Sequence, residues 1–157
     1  MKSVVIYYSY SGNMEEAANR ASELTDADLI RITTKEEPKG KGFKAMLKGG
    51  HQALKGFKPI INVDGLDFSQ YDTIILGTPV WAGTYAPAMR TFLENYPFTN
   101  KKVFLMATSA SGNAKKMIKN LETILENNAI VGAVSLRDPL THPEELEKLD
   151  ALKDIMK

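Results

Sequence analysis

The sequence predicts an α/β protein built on a three-layer, doubly wound sheet of five parallel strands in the order 2-1-3-4-5. Apolar runs of strand length alternate along the chain with apolar stripes at helical spacing, the pattern of a sheet covered by helices on both faces. The first strand, helix and second strand together span about thirty residues, the length of one right-handed crossover unit. At 157 residues the chain is predicted to form one domain, 1–157.

The amino-terminal unit shows the clearest pattern. Val4–Tyr8 is rich in β-branched and aromatic residues, which favours a buried strand. Asn13 and Glu16 have the spacing of a capping box, so a helix is predicted from Asn13 to Leu24. Leu29–Ile32 then predicts the second strand.

The segment Lys35–Lys58 is basic and rich in glycine. Apolar residues at helical spacing predict a short amphipathic helix near Gly42–Leu54, weakened by Gly49 and Gly50. We interpret this basic segment as a helix that covers the sheet and keeps its lysines in solvent. Two alternatives are a basic surface for an acidic partner and a flap beside a ligand site.

Two further strand–helix units complete the alternation. Thr73–Leu76 predicts a buried strand that ends at Gly77, and Pro87 suits the first turn of the next helix. The loop between them, Thr78–Pro87, contains the only tryptophan of the chain. The remaining predicted elements are a strand at Val103–Ala107, a helix that ends near Asn127, a strand at Ile130–Leu136 and an amphipathic helix that begins at Thr141–Glu145.

The composition excludes several classes of function. A net charge of +1 gives no electrostatic support for binding nucleic acid. No apolar run is long enough to span a bilayer and the first residues do not resemble a signal peptide, so we expect a cytoplasmic protein without a membrane partner. The chain has no cysteine, which excludes disulfides and thiol catalysis, and its two histidines are far apart, so no metal site is predicted.

Three loops follow the first, third and fourth predicted strands: Ser9–Asn13, Thr78–Pro87 and Thr108–Asn113. These strands are neighbours in the predicted order, and a doubly wound sheet binds ligands at the carboxyl ends of its strands. All three loops are rich in small or hydroxyl-bearing residues, so a ligand site is predicted where they meet. The alternatives are ordinary helix caps for the first and third loops and a core role for Trp81.

The first of these loops has the chemistry of a phosphate cradle. Ser9, Ser11 and Asn13 supply polar side chains, and the helix start supplies N–H groups at the positive end of its dipole. The loop lacks the lysine of a Walker A loop and the glycines of a dinucleotide fingerprint. Because no lysine or arginine is predicted nearby, we expect a terminal phosphate held by dipoles.

This loop resembles the phosphate loop of the flavodoxins, which bind flavin mononucleotide (FMN). Met14 departs from the family pattern, because it stands where the family has a threonine. The stretch Gly77–Thr84, with Pro87 and Arg90–Leu93, is similar to the second flavin loop of a flavodoxin-like subfamily, so the resemblance covers most of the chain. The residues of the first loop region that match the family are Val5, Ile6, Tyr7, Ser9, Gly12 and Ala18.

The loop chemistry suits a flavin, and the resemblance implies FMN as the cofactor. Trp81 offers an aromatic face, Gly83 allows close approach of the backbone, and the amides of Ser109–Gly112 can reach the pyrimidine edge of the ring. The third loop has no aromatic residue, so the outer ring face is expected to be open, or covered by Tyr85 or the basic segment. The predicted cofactor-binding residues are Ser9, Tyr10, Ser11, Gly12, Asn13, Met14, Thr78, Pro79, Val80, Trp81, Ala82, Gly83, Thr108, Ser109, Ala110, Ser111 and Gly112.

Two functions are predicted for such a flavoprotein. An electron carrier would exchange electrons with a redox partner protein, whereas an enzyme would take hydride from NAD(P)H and reduce a quinone or similar small-molecule electron acceptor. The near-neutral charge differs from the acidic carriers of the family, and no nicotinamide site is recognisable. Whether the protein is an enzyme is left open, and no catalytic residue is predicted. A binding module that has lost its flavin is a third alternative, suggested by Met14 alone.

Overall fold

The structure, a computed structural model, describes residues 2–39 and 43–157. Its elements in chain order are β1 (Ser3–Tyr7), α1 (Asn13–Thr25), β2 (Asp28–Arg31), β3 (Thr33–Thr34), α2 (Phe43–Leu54), β4 (Ile61–Asn62), β5 (Thr73–Trp81), β6 (Thr84–Tyr85), α3 (Pro87–Asn95), β7 (Lys102–Ser109), α4 (Lys115–Ile124), β8 (Ala129–Arg137) and α5 (Leu152–Ile155), with 3-10 helices at Phe68–Gln70 and Pro143–Ala151. Five parallel strands run in the order β2-β1-β5-β7-β8, and β6 pairs with β5. Leaving out the short strands β3, β4 and β6, this is the predicted doubly wound order, which is confirmed.

Alternate residues of the central strands build a core on each face of the sheet. Val4 and Ile6 of β1 pack in the core that includes Phe92 of α3, whereas Val5 and Tyr7 pack in the core formed with α1 and the C-terminal helices. All of these side chains are buried. Because burial of one large apolar side chain contributes about 1.5–3 kcal/mol, this packing stabilises the sheet from both faces.

The third parallel strand was predicted to end at Gly77, but the structure shows that it continues beyond this residue. β5 runs on to Trp81, turns at Ala82–Gly83 and pairs with β6, so most of the predicted loop is a β-hairpin. The turn residues have φ values of +51° and +79°, the two positive angles that a two-residue type I′ turn requires. Gly77 serves packing instead, because a Cβ there would lie 2.5 Å from the Sδ atom of Met14.

The carboxyl-terminal helix also differs from its prediction. It runs as a 3-10 helix over Pro143–Ala151 and becomes α-helical only in α5. Its apolar residues Leu149 and Leu152 are nevertheless buried in the core that α1 shares. The predicted helix of the basic segment is α2, and its predicted first residue, Gly42, lies outside the described residues.

Within residues 2–39 and 43–157, no helix combines the length and the apolar character that crossing a membrane requires.

Candidate functional site

The three predicted loops lie along one edge of the sheet. β1, β5 and β7 are adjacent and parallel, so the residues that follow them emerge at the same end. The rings of Tyr10 and Trp81 meet edge to face at 5.7 Å between centroids, which joins the first loop to the second. A Cβ added at Gly83 would lie 3.7 Å from Cδ of Lys116 in α4, so the second loop also borders the helix that follows the third.

Ser9 organises the first loop. Its buried hydroxyl accepts hydrogen bonds from the backbone N–H groups of Gly12 and Glu15, each at 3.2 Å. Gly12 is the N-cap of α1 and has a φ of +98°, a conformation that residues with a Cβ rarely adopt. The predicted capping box of Asn13 and Glu16 was wrong, because Asn13 is already the first helical residue and the N-cap contributes no side-chain hydrogen bond.

The side chain of Asn13 connects the first loop to the segment after β8. Its Oδ1 accepts the backbone N–H of Leu140 at 3.0 Å. Its Nδ2 donates to Ser11 Oγ at 3.0 Å and, at a longer 3.4 Å, to the carboxylate of Asp138. Sequence reasoning did not predict that residues 138–140 would lie against this loop, because they are distant in sequence and follow the edge strand.

Met14 contributes only its backbone to this region. Its side chain is buried at 1% exposure and packs beneath the loop, against Gly77 of β5. No described residue accepts its backbone N–H, which lies in the first turn of α1. Replacement of the family's threonine therefore removes a hydroxyl but leaves a donor at the positive end of the helix dipole.

Arg31 lies beside the first loop, so the expectation of a loop without a nearby arginine was wrong. Its guanidinium donates to the carbonyl oxygen of Ser9 at 3.2 Å and pairs with Glu15 at 3.0 Å. Parallel pairing of β1 with β2 sets Arg31 opposite Tyr7 and thus next to the loop. The predicted pairing of the first two strands was the signal that could have found it.

The second loop is a braced hairpin. Thr78 is fully buried, and its Oγ1 accepts the backbone N–H of Ala86 at 3.1 Å and donates to the carbonyl oxygen of Pro79 at 3.0 Å. The Thr78 side chain is therefore used within the hairpin. Of the other predicted site residues here, Ala82 is exposed, and those that are half-buried are Pro79, Val80, Trp81 and Gly83.

Trp81 is held between α2 and two tyrosines. A Cβ at Gly49 of α2 would lie 3.1 Å from Cε3 of the indole, so the helix can pack this closely only because position 49 is glycine. The rings of Tyr8 and Tyr10 meet the indole edge to face at 6.0 Å and 5.7 Å. Gly49 weakened the prediction of this helix. Its contact with Trp81 of the second loop explains why glycine stands at this position.

The same two tyrosines hold the chain that leads towards α2. The hydroxyl of Tyr8 donates to the Glu37 carboxylate at 3.1 Å, and that of Tyr10 donates to the carbonyl oxygen of Pro38 at 2.9 Å. Burial raises the pKa of Tyr8 well above its ordinary value, and the neighbouring Glu37 carboxylate raises it further. Tyr8 therefore stays protonated and keeps donating across the physiological pH range.

The third loop repeats the pattern of the first. Residues 9–13 and 109–113 both read Ser-x-Ser-Gly-Asn, an equivalence that we did not predict. The N–H of Gly112, whose φ is +74°, donates to Ser109 Oγ at 2.9 Å. Thr108 is buried, whereas Ala110 and Ser111 at the tip are exposed.

Tyr85 does not cover the third loop. Its side chain is 8% exposed and belongs to the core, with the Arg90 guanidinium 5.2 Å from the centre of its ring. This burial argues against the alternative in which Tyr85 shields the outer face of a bound ring. Ala110, at the tip of the third loop, is exposed and has only a methyl side chain.

A separate groove of about 1110 Å³ opens at the opposite end of the sheet, with Asp72, Lys102 and Asn127 in its lining. It lies at the amino ends of β5, β7 and β8, whereas doubly wound sheets bind ligands at the carboxyl ends. This groove is therefore not the predicted site.

Solved structures include proteins with the same fold. A flavoprotein from Lactobacillus acidophilus NCFM, solved in complex with FMN, is 26% identical and has a TM-score of 0.73, with coverage of 91% of this chain and 97% of that chain. Flavodoxin 2 from Bacillus cereus is 20% identical with a TM-score of 0.59, covering 99% of this chain and 97% of that chain. At this identity the second likeness shows the fold alone.

Curated relatives carry the name NAD(P)H dehydrogenase (quinone). The protein from Azorhizobium caulinodans is 27% identical over 151 residues, 92% of this chain and 74% of the relative. The protein from Brucella suis is 33% identical over 94 residues, 60% of this chain and 46% of the relative. The match to the Brucella protein thus spans less than half of its length.

A family model described as Flavodoxin matches residues 2–149. The match begins just before β1, includes all three loops and extends into the 3-10 helix after β8. The chain therefore belongs to the flavodoxin family.

Proposed function

We propose that this protein binds FMN at the three loops and transfers electrons through it. The observation that carries the proposal is the position of the first loop, a polar turn at a helix start, beside the indole of the second loop. Family membership and the FMN complex of the Lactobacillus flavoprotein support FMN as the ligand. When bound, FMN supplies the redox chemistry, and the protein supplies binding and orientation.

The first loop fits a terminal phosphate. The N–H of Met14 and the exposed hydroxyl of Ser11 are donors at the start of α1, where the dipole favours an anion. Gly12 keeps the loop compact, because a Cβ there would lie 3.2 Å from Cδ1 of Leu140. Ser9 acts by shaping the loop, since its hydroxyl already accepts two backbone N–H groups.

The second and third loops fit the two sides of a flat ring. Trp81 would form an aromatic wall on the side of the ring that faces the protein, and Tyr8 and Tyr10 hold its indole in place. Ala110 and Ser111 leave the outer side less covered than an aromatic residue would. The proposed cofactor contacts are therefore the predicted ones, with Ser9, Thr78, Thr108 and Met14 limited to backbone contacts because their side chains are buried.

The test is the visible absorption spectrum of the purified protein before and after addition of FMN, together with a fluorescence titration. We expect the bands of bound oxidised flavin and quenching of the FMN fluorescence. Riboflavin lacks the phosphate and should bind roughly tenfold or more weakly, since a hydrogen bond to a charged group contributes about 1.5–3 kcal/mol. A colourless protein that leaves added FMN unquenched would overturn the proposal.

NAD(P)H-dependent reduction of a quinone is a second candidate. The names of the Azorhizobium and Brucella relatives favour it, although the matches are partial. The small residue at position 110 and the burial of Tyr85 also favour it, because a substrate needs access to the outer ring face. These observations support direct contact between the ring and a small acceptor.

Anaerobic mixing separates the two candidates. Loss of the oxidised flavin band within seconds of adding NADH or NADPH, followed by its return with a soluble benzoquinone, would support the enzyme. A band that resists both nucleotides but is lost on adding a reduced electron-carrier protein would support the carrier. The same FMN-loaded sample without nucleotide is the control.

A further inference from the structure

The inner face of α2 consists of small residues. Ala45, Gly49 and Ala53 are buried at intervals of four residues, which places them on one side of the helix. Gly49 packs against Trp81, and a Cβ at Gly50 would lie 3.4 Å from the Cβ of Ala82. The helix is therefore fixed to the second loop through its small side chains.

Two leucines of α2 point the other way. Leu47 is 56% exposed and Leu54 is 69% exposed, and their seven-residue separation aligns them along the outer face. Ile60, just beyond the helix, is 81% exposed. A helix that only covers a sheet would bury its leucines, so this orientation indicates an outer face adapted to contact another molecule.

The same segment concentrates positive charge. Residues 35–58 contain seven lysines and two glutamates, a net charge of +5, whereas the whole chain has a net charge of +1, so all other residues together carry −4. Lys44, Lys48 and Lys55 are exposed, and no carboxylate within the described residues pairs with them. At helical spacing all three lie on one flank of the two leucines.

We propose that this surface of α2, formed by Leu47 and Leu54 with Lys44, Lys48 and Lys55, docks an acidic redox protein. The lysines would attract and orient an acidic partner, and the leucines would provide the apolar centre of the contact. The opposite face of the helix touches Trp81, so a docked partner would lie close to the proposed flavin site. The redox role of the partner rests on the proposed function, but its binding does not.

An acidic protein fits this surface better than a lipid bilayer does. Helices that lie in a membrane interface present a broad apolar face, with basic residues on the remaining polar face. Among the α2 side chains that the structure describes, the exposed apolar ridge is formed by Leu47 and Leu54, the lysines lie on one side of it, and the face of small residues packs against the second loop. In a protein interface the apolar centre is bordered by a polar rim, and here the leucines and the lysines match these two parts.

The test measures binding of an acidic [2Fe–2S] ferredoxin to flavin-free and FMN-loaded protein by titration calorimetry at low salt. We expect the double variant K48E/K55E to bind about tenfold more weakly, because rim charges control association with a charged partner. The matched control K102E/K119E makes the same change in net charge at exposed lysines of β7 and α4, and should alter the affinity less than about twofold. Added salt should weaken binding of the unchanged protein.

A second variant, L47S/L54S, tests the apolar centre without changing the charge. It should speed dissociation several-fold and leave the salt dependence unchanged, because apolar contacts act mainly on the lifetime of a complex. Circular dichroism checks that α2 remains folded in both α2 variants. Amide chemical shifts recorded on adding ferredoxin should change at residues 44–58.

Four outcomes would overturn the docking proposal: no binding of ferredoxin, equal losses in the two charge variants, tighter binding of a basic cytochrome c, or binding only to vesicles that contain phosphatidylglycerol. The last result would indicate a membrane surface instead. Because binding is measured with and without FMN, a protein that fails to bind FMN but docks ferredoxin would contradict the proposed function alone.

Discussion

The first and third loops share one five-residue pattern and one turn. In each, the glycine N–H donates to the serine hydroxyl three residues earlier, at 3.2 Å for Gly12 and 2.9 Å for Gly112. Both glycines have positive φ, +98° and +74°. The pattern Ser-x-Ser-Gly-Asn therefore forms the same turn in two different places in the fold.

The surroundings of the two turns differ in their hydrogen bonds. Asn113 Oδ1 accepts, at 3.2 Å, the N–H of Lys115, which is the first residue of the helix that follows its own loop. Asn13 instead accepts the N–H of Leu140, a residue 127 positions away. The same side chain thus serves local structure in one loop and tertiary structure in the other.

The charges of the helix starts are opposite. The first turn of α1 contains Glu15 and Glu16, whereas α4 begins with Lys115 and Lys116. Local electrostatics therefore favour an anion at the third loop. Topology favours the first loop, because the strand order reverses direction between β1 and β5 and ligands bind at that point. The comparison teaches that a motif specifies a turn, and that its position in the sheet is needed to assign it a role.

The largest expected effect distinguishes the two glycines. Gly12→Ala should lower the free energy of unfolding by about 2–3 kcal/mol and Gly112→Ala by about 1–2 kcal/mol, because left-handed backbone is costly for residues with a Cβ. The φ of Gly12, +98°, also lies farther from the left-handed helical region near +57° than the +74° of Gly112. Urea unfolding of the flavin-free protein measures both values.

Asparagine variants provide the control for this pair, since asparagine tolerates left-handed backbone better than alanine does. Gly112→Asn should recover most of the stability lost in Gly112→Ala, whereas Gly12→Asn should recover little. Equal recovery at both positions would show that the two turns are conformationally equivalent.

Much of the fold could be predicted because its signals are local. Apolar runs such as Val4–Tyr8 place strands, and the alternation of strands with helices limits the order of the sheet. The hairpin after Gly77 was missed because a glycine inside a strand looks like a terminator until its packing against Met14 is known. Whether the strand ends or continues at Gly77 depends on burial, which is a property of the whole fold.

Much less of the site could be predicted, because it depends on contacts between distant residues. Strand pairing brings Arg31 to Ser9, and the segment after β8 brings Leu140 to Asn13. The Leu140 contact leaves no pattern in the sequence near the loop, and the Arg31 contact follows only from the pairing of β1 with β2. Tyr85, one of the expected covers of the outer ring face, is buried, and its strand β6 pairs with β5.

The next prediction compares the two loops as phosphate sites. Ser11→Ala should weaken FMN binding roughly tenfold or more, because a hydrogen bond to a charged group contributes about 1.5–3 kcal/mol. Ser111→Ala should weaken it by less than about threefold, since a contact with a neutral ring edge contributes about 0.5–1.5 kcal/mol at most. Fluorescence titration with FMN measures both affinities, and riboflavin should show no difference between Ser11→Ala and the unchanged protein.

The reverse result would also be informative. Suppose that Ser111→Ala weakened FMN binding more than Ser11→Ala did, and that this difference disappeared when riboflavin replaced FMN. The phosphate would then lie at the third loop beside Lys115 and Lys116. The charges would then outweigh the topology, and the assignment of the first loop to the phosphate would be wrong.

A smaller effect is expected from the two asparagines. Asn13→Ala should cost about 1 kcal/mol of stability, because it removes the exposed hydrogen bonds to Leu140 and Ser11, while Asn113→Ala should cost about 0.5 kcal/mol as the loss of one local hydrogen bond. Hydrogen exchange at the Leu140 amide should accelerate in Asn13→Ala and stay unchanged in Asn113→Ala. Unchanged exchange in both variants would show that Asn13 does not hold the segment after β8.

The smallest effect concerns the charges of the helix starts and has opposite signs in the two loops. Glu16→Gln should destabilise the protein by about 0.5 kcal/mol, because a negative charge at a helix N-terminus is favourable, and Lys115→Gln should stabilise it by a similar amount. Glu16 is suited to this test because it is exposed and no ion pair involves it within the described residues, whereas Glu15 is paired with Arg31. Lys119→Gln, beyond the first turn of α4, is the control and should change stability little, since the dipole effect is confined to the helix end.

The stability changes in Glu16→Gln and Lys115→Gln should both shrink in 1 M salt, where the screening length falls to about 3 Å. If salt left them intact, the differences would arise from packing, and the opposite charges of the two loops would not distinguish their affinity for anions.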